Sequence, residues 1–364
     1  MFIHVTVTSS SGWRALLNMS MRYYCTYFDK GYLVRAIALH ASLSKHESQP
    51  FTLYAVCLDE LTRILLERLQ LPGVSTIPLH EIENGDNELR KARLNRNLVE
   101  YYWTLTPTVI IRLLEWNPHV EMITYLDADL FFFSSPQPIF DELVGHSVLI
   151  HEHRFHEEFK PALKYGRFNV GLLCFRRNRD AVAVLNWWRD RCNEWCYARL
   201  ESGRFGDQLY LEDWPERFSG VHVLSHIGAG LAPWNNLQYD YSVDVCKQVS
   251  VNNQPVIFYH FHGLQFAHTN YVVLSKIFAH KFTLEIIRCF YLPYVKSLHC
   301  ALNLVRHVMP GFEFGLSGYA AIEYTAILKD VANLRVMADA DGFVTTEPVP
   351  LGDEYLLWPA GQLM

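Results

Sequence analysis

The chain has 364 residues, and a hydrophobic share of 50% with a charged share of 19% is typical of a globular protein with a large core. A formal net charge of -6 argues against nucleic acid as a partner, because nucleic-acid binding needs a basic surface. We expect no transmembrane helix and no secretory signal, and the 8 scattered cysteines favour a reducing, cytoplasmic compartment over a disulfide framework.

The first 20 residues differ from the rest of the chain. They are rich in serine, and two further methionines, Met19 and Met21, stand where this stretch ends. Met1 is therefore not the only candidate for the native start. We therefore interpret residues 1–20 as a non-native or disordered N-terminal extension.

Strands and helices then alternate along the chain. Short apolar runs predict strands at Arg22–Phe28, Phe51–Cys57 and 74–77, and apolar residues recur at helical spacing between them. Asp59 is placed to cap the second of these helices. Strands that alternate with helices form parallel sheets with helices on their faces. The predicted fold class is therefore α/β, with a Rossmann-like, mostly parallel central sheet.

Two helices are predicted next. The charged segment 86–99 is interpreted as a surface helix. Thr106-Pro107 predicts the start of the second helix, with Thr106 as the N-cap and Pro107 at the first helical position. Pro118 is expected to end it.

An acidic strand end follows, and it is the most informative stretch of the chain. Met122–Leu126 is a short apolar run of strand type, and Asp127 and Asp129 come directly after it. In extended chain, residues i and i+2 lie on the same side, so these carboxylates can share one target. A hard divalent cation is the simplest target, because unpaired buried carboxylates are costly and such cations take oxygen ligands. A plain turn or a helix cap is the alternative.

A long helix is predicted over residues 180–200, ending at Gly203. Cys192 and Cys196 lie on its apolar face. No further ligand cluster lies near them in the sequence, so we interpret both as small buried hydrophobic residues and not as a metal site.

Three polar sites later in the chain are candidates to join the acidic pair. Asn169 interrupts the apolar strand predicted at 168–175, Asp207 and Gln208 follow two glycines in a loop, and His260 stands near the end of a strand. Each has a structural alternative, namely a hydrogen-bonded core asparagine, a helix cap or a satisfied core histidine.

The segment 268–309 has a different character. It carries five lysines and arginines against one glutamate, among many aromatic and aliphatic residues. We interpret it as a helical extension that packs on the main domain, and the alternative is a surface that also contacts anionic membrane. Residues 310–364 are weakly patterned, and no role is predicted for them.

The order of these motifs resembles that of the family 8 glycosyltransferases, whose fold is called GT-A, and within them the large group of nucleotide-diphospho-sugar transferases. YLDAD followed by H-x-x-G is a fairly specific combination, whereas GDQ alone is weak. The resemblance implies a GT-A domain at 21–266, followed by the helical extension at 267–309 and the tail at 310–364. The matching stretches are CTYFDKGY (25–32), YLDAD (125–129), FNVGL (168–172), GDQ (206–208) and HFHG (260–263).

The resemblance implies a metal site. Asp127, Asp129 and His260 would bind Mn²⁺ or Mg²⁺ at the diphosphate of a sugar nucleotide. The cation would act as a Lewis acid on the diphosphate as negative charge develops there. An imidazole beside two carboxylates suits Mn²⁺ better than Mg²⁺, which prefers oxygen and water.

The resemblance also implies a donor site. Asn169 and the candidate catalytic residues Asp207 and Gln208 would contact the donor sugar, while Tyr27 and Asp29 would receive the nucleotide base. Gln208 would stand at the reacting face, where an amide is a poor nucleophile and a poor base. We therefore expect a retaining enzyme.

Two positions depart from the family pattern. The family has an arginine in the helix before YLDAD, and the nearest one here is Arg112, about two positions displaced. We expect Arg112 to contact the phosphates of the donor. The family's Lys-Pro-Trp after H-x-x-G is absent, and the chain reads Leu264-Gln265-Phe266 instead.

These expectations describe a retaining hexosyltransferase that uses a nucleotide sugar, with UDP as the expected nucleotide, and a carbohydrate, lipid or protein acceptor. One alternative is a sugar nucleotidyltransferase, but residues 29–31 are a poor version of the glycine-rich basic loop that such an enzyme carries. The other is a non-catalytic protein that binds a sugar nucleotide. The expected location is the cytoplasm, at the inner face of the membrane if 268–309 contacts it.

Overall fold

The centre of the structure is a seven-stranded sheet. The structure is a computed structural model, and it describes residues 20–267, 271–273, 282–317, 337–339, 342–344, 349–350 and 356–358. The described strands are β1 (Arg22–Phe28), β2 (Phe51–Cys57), β3 (Val74–Pro78), β4 (Met122–Leu126), β5 (Leu130–Phe132), β6 (Val148–Glu152), β7 (Phe168–Arg176), β8 (Val221–Val223), β9 (Ala229–Leu231), β10 (Tyr241–Val243), β11 (Val249–Val251), β12 (Gln254–Pro255), β13 (Phe258–His260), β14 (Gln265–Ala267), β15 (Tyr271–Val273), β16 (Leu316–Ser317), β17 (Met337–Asp339), β18 (Gly342–Val344), β19 (Val349–Pro350) and β20 (Leu356–Trp358).

Helices connect these strands. The described α-helices are α1 (Leu33–His46), α2 (Glu60–Leu69), α3 (Leu79–Glu83), α4 (Asn87–Asn95), α5 (Leu98–Trp116), α6 (Gln137–Glu142), α7 (Arg179–Glu194), α8 (Trp214–Arg217), α9 (Leu284–Ile286) and α10 (Leu292–Val308). Shorter helical pieces are the 3₁₀ segments Glu157–Tyr165, Gln208–Leu211 and Asn236–Gln238 and the π-helical turn Ile287–Tyr291.

The central sheet has the strand order β3-β2-β1-β4-β7-β6-β8. Every strand in it runs in the same direction except β7, which is antiparallel to both of its neighbours. The prediction of an α/β fold with a mostly parallel central sheet flanked by helices is therefore confirmed.

Buried side chains on both faces of the sheet hold the helices in place. On one face, Cys25 of β1 shares a buried cluster with Val109 of α5 and Trp188 of α7. On the other face, Phe28 of β1 shares a cluster with Leu298 of α10. Full burial of one such large apolar side chain stabilises the fold by about 1.5–3 kcal/mol, so both layers depend on this packing.

Several local predictions agree with the structure. The bounds of β1 and β2 are those that the apolar runs indicate. Asp59 caps α2, because its Oδ1 accepts a hydrogen bond of 2.9 Å from the backbone N–H of Thr62.

The predicted start of α5 at Thr106-Pro107 is wrong. The helix begins nine residues earlier and spans Leu98–Trp116, with Asn97 and Glu100 in a capping box. Pro107 lies inside the helix, where its missing N–H leaves the carbonyl of Trp103 without a helical partner. The Thr106 hydroxyl lies 3.2 Å from that carbonyl oxygen and replaces the lost bond, which lets the helix continue.

The predicted helix at 180–200 ends early, at Glu194. The guanidinium of Arg96 donates to the carbonyl of Cys192 at 2.7 Å and to the next carbonyl at 3.0 Å, so a side chain from another segment satisfies the last turn. Cys192 and Cys196 are both free and fully buried, as expected of small hydrophobic residues.

The chain after β13 folds back on the domain. In the described residues, α10 packs against α1 with its buried face, and Phe290, Tyr291 and Tyr294 are buried. Residues 268–270 and 274–281 of the predicted extension lie outside the described residues, as do residues 1–19 and most of the tail. None of the helices within the described ranges combines the length and the apolar character needed to cross a membrane.

Candidate active site

Two distant stretches of the chain meet at the carboxyl end of β4. Asp127 and Asp129 follow β4, and β5 then pairs with β13, so that His260 lies opposite the residue after Asp129. The N–H of Phe261 donates to the carbonyl of Asp129 over 3.0 Å, and the N–H of Asp127 donates to the carbonyl of Gly171 over 2.8 Å. Backbone pairing therefore sets the positions of the two aspartates and the histidine.

The side chains at this junction form a compact cluster. Nε2 of His260 lies 3.1 Å from Oδ1 of Asp129 and 3.8 Å from Oδ2 of Asp127. Oδ1 of Asp127 accepts a hydrogen bond of 2.7 Å from the hydroxyl of Tyr125. In the described part of the chain, the ligand atoms of Asp129, His260 and His262 all lie within 4.8 Å of one another. The cluster thus contains the three predicted metal ligands and one histidine, His262, that was not predicted.

Burial and mutual charge determine the protonation of this cluster. Burial, the largest single cause, disfavours ionisation of Asp129, but the charge and hydrogen bond of His260 and the charges of His262 and Arg35 together lower its pKa to about 2. Burial, the largest single cause, lowers the pKa of His260, but the charge and hydrogen bond of Asp129 and the charge of Asp127 together outweigh it, and the pKa is raised. Burial, and then the charge of His260, lower the pKa of His262 to about 4. A divalent cation would need the deprotonated form of His260, since metal ligands are deprotonated.

A cleft of about 810 Å³ opens in front of the cluster, and Tyr27 and Asp29 line it. The hydroxyl of Tyr27 lies 2.9 Å from the hydroxyl oxygen of Thr106. Oδ1 of Asp29 accepts a hydrogen bond of 2.8 Å from the N–H of Gly31, and Oδ2 accepts one of 3.4 Å from the hydroxyl of Tyr102. The structure thus places both predicted base-binding residues in one cleft with the cluster.

A smaller pocket of about 130 Å³ adjoins the cleft. Asn169, Asp207 and Gln208 line it, and Asp127 and His260 line both spaces. The cluster therefore stands at the boundary between a large cleft and a small polar pocket.

Hydrogen bonds to the protein orient the amides of the smaller pocket. Oδ1 of Asn169 accepts from the N–H of Gly171 at 2.8 Å, and its Nδ2 lies 3.1 Å from Nε2 of His153. Nε2 of Gln208 donates to the carbonyl of Tyr165 at 2.8 Å. Asn169 keeps a second N–H and Gln208 keeps its carbonyl oxygen for contact with a ligand.

Thr106 connects a residue of the larger cleft with a residue of the smaller pocket, a role that the sequence did not suggest. Its hydroxyl lies 2.9 Å from the hydroxyl of Tyr27 and 3.2 Å from Oδ2 of Asp207. Burial, and then the charge of Asp127, raise the pKa of Asp207 to about 7. The only signal in the sequence was the Thr-Pro pair, which has the ordinary interpretation of a helix start.

The predicted phosphate-binding Arg112 is not brought to the site. Its guanidinium reaches Oε2 of Glu115 and the carbonyl of Asn84, both at 3.2 Å, on the side of α5 that faces the end of α3. Arg35 lines the cleft instead and donates to the carbonyl of Leu264 at 3.0 Å. In the sequence, the only indication of this role was that Arg35 is a single arginine on the otherwise apolar face of α1.

The fold has a weak likeness to solved structures of glycosyltransferases. An active-site mutant of LgtC has a TM-score of 0.42 at 15% identity, over 65% of this chain and 86% of that chain. Mouse xyloside xylosyltransferase 1 in its apo form has a TM-score of 0.37 at 15% identity, over 56% and 85% of the two chains.

Sequence relatives are closer. No family model matches the chain. The uncharacterized protein YfnD of Bacillus subtilis (strain 168) is 32% identical over 319 residues, which are 85% of this chain and 99% of YfnD. The uncharacterized protein YfnF of the same strain is 34% identical over 254 residues, which are 68% of this chain and 83% of YfnF. The chain therefore belongs to the protein family of YfnD and YfnF.

Proposed function

We propose that the protein is a metal-dependent glycosyltransferase of the GT-A type that takes a hexose from a nucleotide-diphosphate donor. The observation that carries this proposal is the meeting of Asp127, Asp129 and His260, from two distant stretches, between a large cleft and a small polar pocket. UDP is the proposed nucleotide, and the acceptor is a carbohydrate, a lipid or a protein.

Asp127, Asp129 and His260 would hold a Mn²⁺ or Mg²⁺ ion at the diphosphate of the donor. The residues fit this role, because the buried Asp129 carboxylate and the half-buried Asp127 carboxylate near it need a compensating positive partner. When bound, the cation acts as a Lewis acid that stabilises negative charge on the departing diphosphate. The mixture of oxygen and nitrogen ligands favours Mn²⁺ over Mg²⁺.

The nucleotide would occupy the larger cleft. The ring of Tyr27 lies 5.6 Å from that of Tyr125 and adds to an aromatic wall, and Asp29 offers a carboxylate to a base or a ribose hydroxyl. Arg35, which is 8% exposed, would support this wall by fixing the chain at Leu264.

The transferred sugar would occupy the smaller pocket. There the second N–H of Asn169, the carbonyl oxygen of Gln208 and the carboxyl of Asp207 are available to sugar hydroxyls. Because these groups surround the boundary next to Asp127, they would place the anomeric carbon beside the diphosphate.

We further propose that transfer retains the anomeric configuration. Inversion needs a general base that faces the acceptor hydroxyl. Double displacement needs a carboxylate nucleophile beside the anomeric carbon. Gln208 is an amide and serves neither purpose well, and Asp207 would be occupied by the sugar hydroxyls in addition to its 3.2 Å contact with the Thr106 hydroxyl. The acceptor oxygen would therefore bond to the anomeric carbon on the face from which the diphosphate departs, and its proton would pass to a diphosphate oxygen.

Proton NMR of the first-formed product tests the stereochemistry, because it identifies the anomer directly. Retention supports the proposed route. Gln208→Ala should slow transfer without stopping it, and Gln208→Glu should gain little, since the amide is not the base. An inverted product, or a sugar ester trapped on Asp207, would contradict the mechanism.

Substitution of the metal ligands tests the function itself. Asp127→Asn, Asp129→Asn and His260→Ala should each abolish or greatly reduce turnover and remove the Mn²⁺ dependence of donor binding in calorimetry, with the fold intact. Glu115→Gln is the matched control, because this surface carboxylate pairs with Arg112 away from the cleft. If the triple variant binds a donor with unchanged Mn²⁺ dependence, the metal-site assignment is wrong.

The products that form separate the two alternatives from this proposal. A transferase or its slow hydrolytic side reaction releases a nucleoside diphosphate from the donor. A sugar nucleotidyltransferase would instead release pyrophosphate from a nucleoside triphosphate and a sugar phosphate. A non-catalytic protein would bind the donor and release nothing.

A further inference from the structure

The segment that ends β13 presents two histidines on one side. Phe261 lies between His260 and His262, and its ring is 1% exposed and stacks on Tyr294 with 3.8 Å between ring centroids. His260 ends β13, and His262 stands in the turn that follows, with 5.6 Å between the two ring centroids. Both imidazoles lie beside the carboxylate of Asp129.

Trp234 supports both imidazoles. Its ring centroid lies 5.3 Å from that of His260 and 5.7 Å from that of His262, in edge-on contact with each. Trp234 is itself 3% exposed, so it cannot move freely. A packed aromatic wall of this kind fixes the orientation of the rings, as a metal ligand requires.

The ligand atoms converge on one point. Those of Asp129, His260 and His262 all lie within 4.8 Å of one another. Atoms bound to one ion, each about 2.0–2.4 Å from it, lie about 3–5 Å apart. The spacing is therefore that of a single cation site.

We infer that His262 is a ligand of the cation, so that two imidazoles and Asp129, together with Asp127, hold the ion on the protein. The family resemblance implied one histidine ligand, His260, and the second imidazole changes the chemistry of the site. This inference rests on the proposed metal site and does not require sugar transfer.

A ligand set with two nitrogens selects among cations. Mg²⁺ and Ca²⁺ are bound through oxygen, whereas imidazole suits Mn²⁺, Co²⁺ and similar ions. We expect Mn²⁺ and Co²⁺ to bind about tenfold or more tightly than Mg²⁺. Binding should need no nucleotide, because the ligands come from the protein itself.

Pulsed electron paramagnetic resonance of Mn²⁺ bound to the full chain, without nucleotide, counts the coordinated imidazole nitrogens. The unaltered protein should show two. His262→Gln should show one and should bind Mn²⁺ about tenfold or more weakly, the loss expected when a protein ligand is removed. His146→Gln is the matched control, because its ring stacks on His222 and lines neither pocket.

A single coordinated nitrogen in the unaltered protein would overturn the inference. This measurement does not depend on whether any variant folds. An unchanged spectrum in His262→Gln would overturn it as well. If two nitrogens are counted but no donor is turned over, His262 is a ligand and the proposed function fails. If Mn²⁺-dependent transfer occurs with one nitrogen, the function stands and the role of His262 fails.

Discussion

Asp207→Asn should make the protein more stable at neutral and alkaline pH. The Asp207 carboxyl is 6% exposed, and burial, followed by the charge of Asp127, raises its pKa to about 7. In the unfolded chain an aspartate has a pKa of about 3.9. The folded state therefore binds this proton more tightly than the unfolded state. Stability is lost as the pH rises from about 4 to about 7, and the loss is complete above about pH 7.

The difference of about 3 pKa units corresponds to about 4 kcal/mol of unfolding free energy. Asparagine carries no charge, and its side-chain N–H can donate a hydrogen bond to the Thr106 hydroxyl oxygen, which lies 3.2 Å from Oδ2 of Asp207. The unfolding free energy of Asp207→Asn should therefore exceed that of the unaltered protein by up to about 4 kcal/mol near pH 8 and by little near pH 4. Sugar transfer should fall in the same variant, which is the usual conflict between stability and activity at a functional site.

Urea denaturation at a series of pH values, with EDTA present so that no cation neutralises Asp127, measures this difference. Asp213→Asn is the control, because its side chain is 43% exposed and pairs with Arg217 on the surface. The control should change stability by no more than about 0.5 kcal/mol at any pH. A stability difference for Asp207→Asn that does not grow between about pH 5 and about pH 8 would refute the reasoning.

Two further predictions concern the C-terminal part of the chain. Gly315→Ala should weaken donor binding in calorimetry, because Gly315 has φ +74° and an added Cβ would lie 1.8 Å from the carbonyl oxygen of Gly31 in the cleft wall. Gly311→Ala, whose Cβ would meet nothing within 4 Å, should bind the donor as the unaltered protein does. Equal donor affinities for the two variants would show that the cleft wall at Gly315 does not contact the donor. Residues 268–309 should give weak, salt-sensitive attachment to anionic vesicles at about 1 kcal/mol per basic residue near the surface. No co-sedimentation at low salt would leave only the packing role.

The elements of the sheet could be predicted from the sequence because their signals are local. The bounds of β1 and β2 follow from short apolar runs, and the cap at Asp59 depends on a contact with Thr62 three residues away. Such features need no knowledge of the rest of the fold.

Two predicted helix limits were wrong, the start of α5 because a local cap was missed and the end of α7 because a distant side chain completes its backbone. Thr106-Pro107 has the pattern of a helix start, but the Thr106 hydroxyl compensates for the proline and the capping box at Asn97 starts the helix earlier. Arg96, which directly precedes that cap, satisfies the carbonyls that end α7. The capping box is a local signal that the prediction missed, whereas the contact of Arg96 with α7 joins segments about 100 residues apart and cannot be inferred from spacing.

For the candidate site, the family resemblance implied that His260 joins Asp127 and Asp129. In the structure, β13 lies in a separate sheet, and its antiparallel pairing with β5 brings His260 to the aspartates. The sequence did not distinguish Arg112 from Arg35, because only the packing of α1 and α5 decides which arginine faces the cleft.

Binding of a sugar nucleotide through a cation held by the protein is tested most directly by a thermal-shift screen of nucleotide sugars with and without Mn²⁺. A ligand that binds only the folded state raises the melting temperature. We expect a UDP-sugar to raise it in the presence of Mn²⁺, to lose this effect after chelation, and to lose it in the variant that combines Asp127→Asn with Asp129→Asn. A shift that is independent of the cation, or no shift with any nucleotide sugar, would contradict the proposed function.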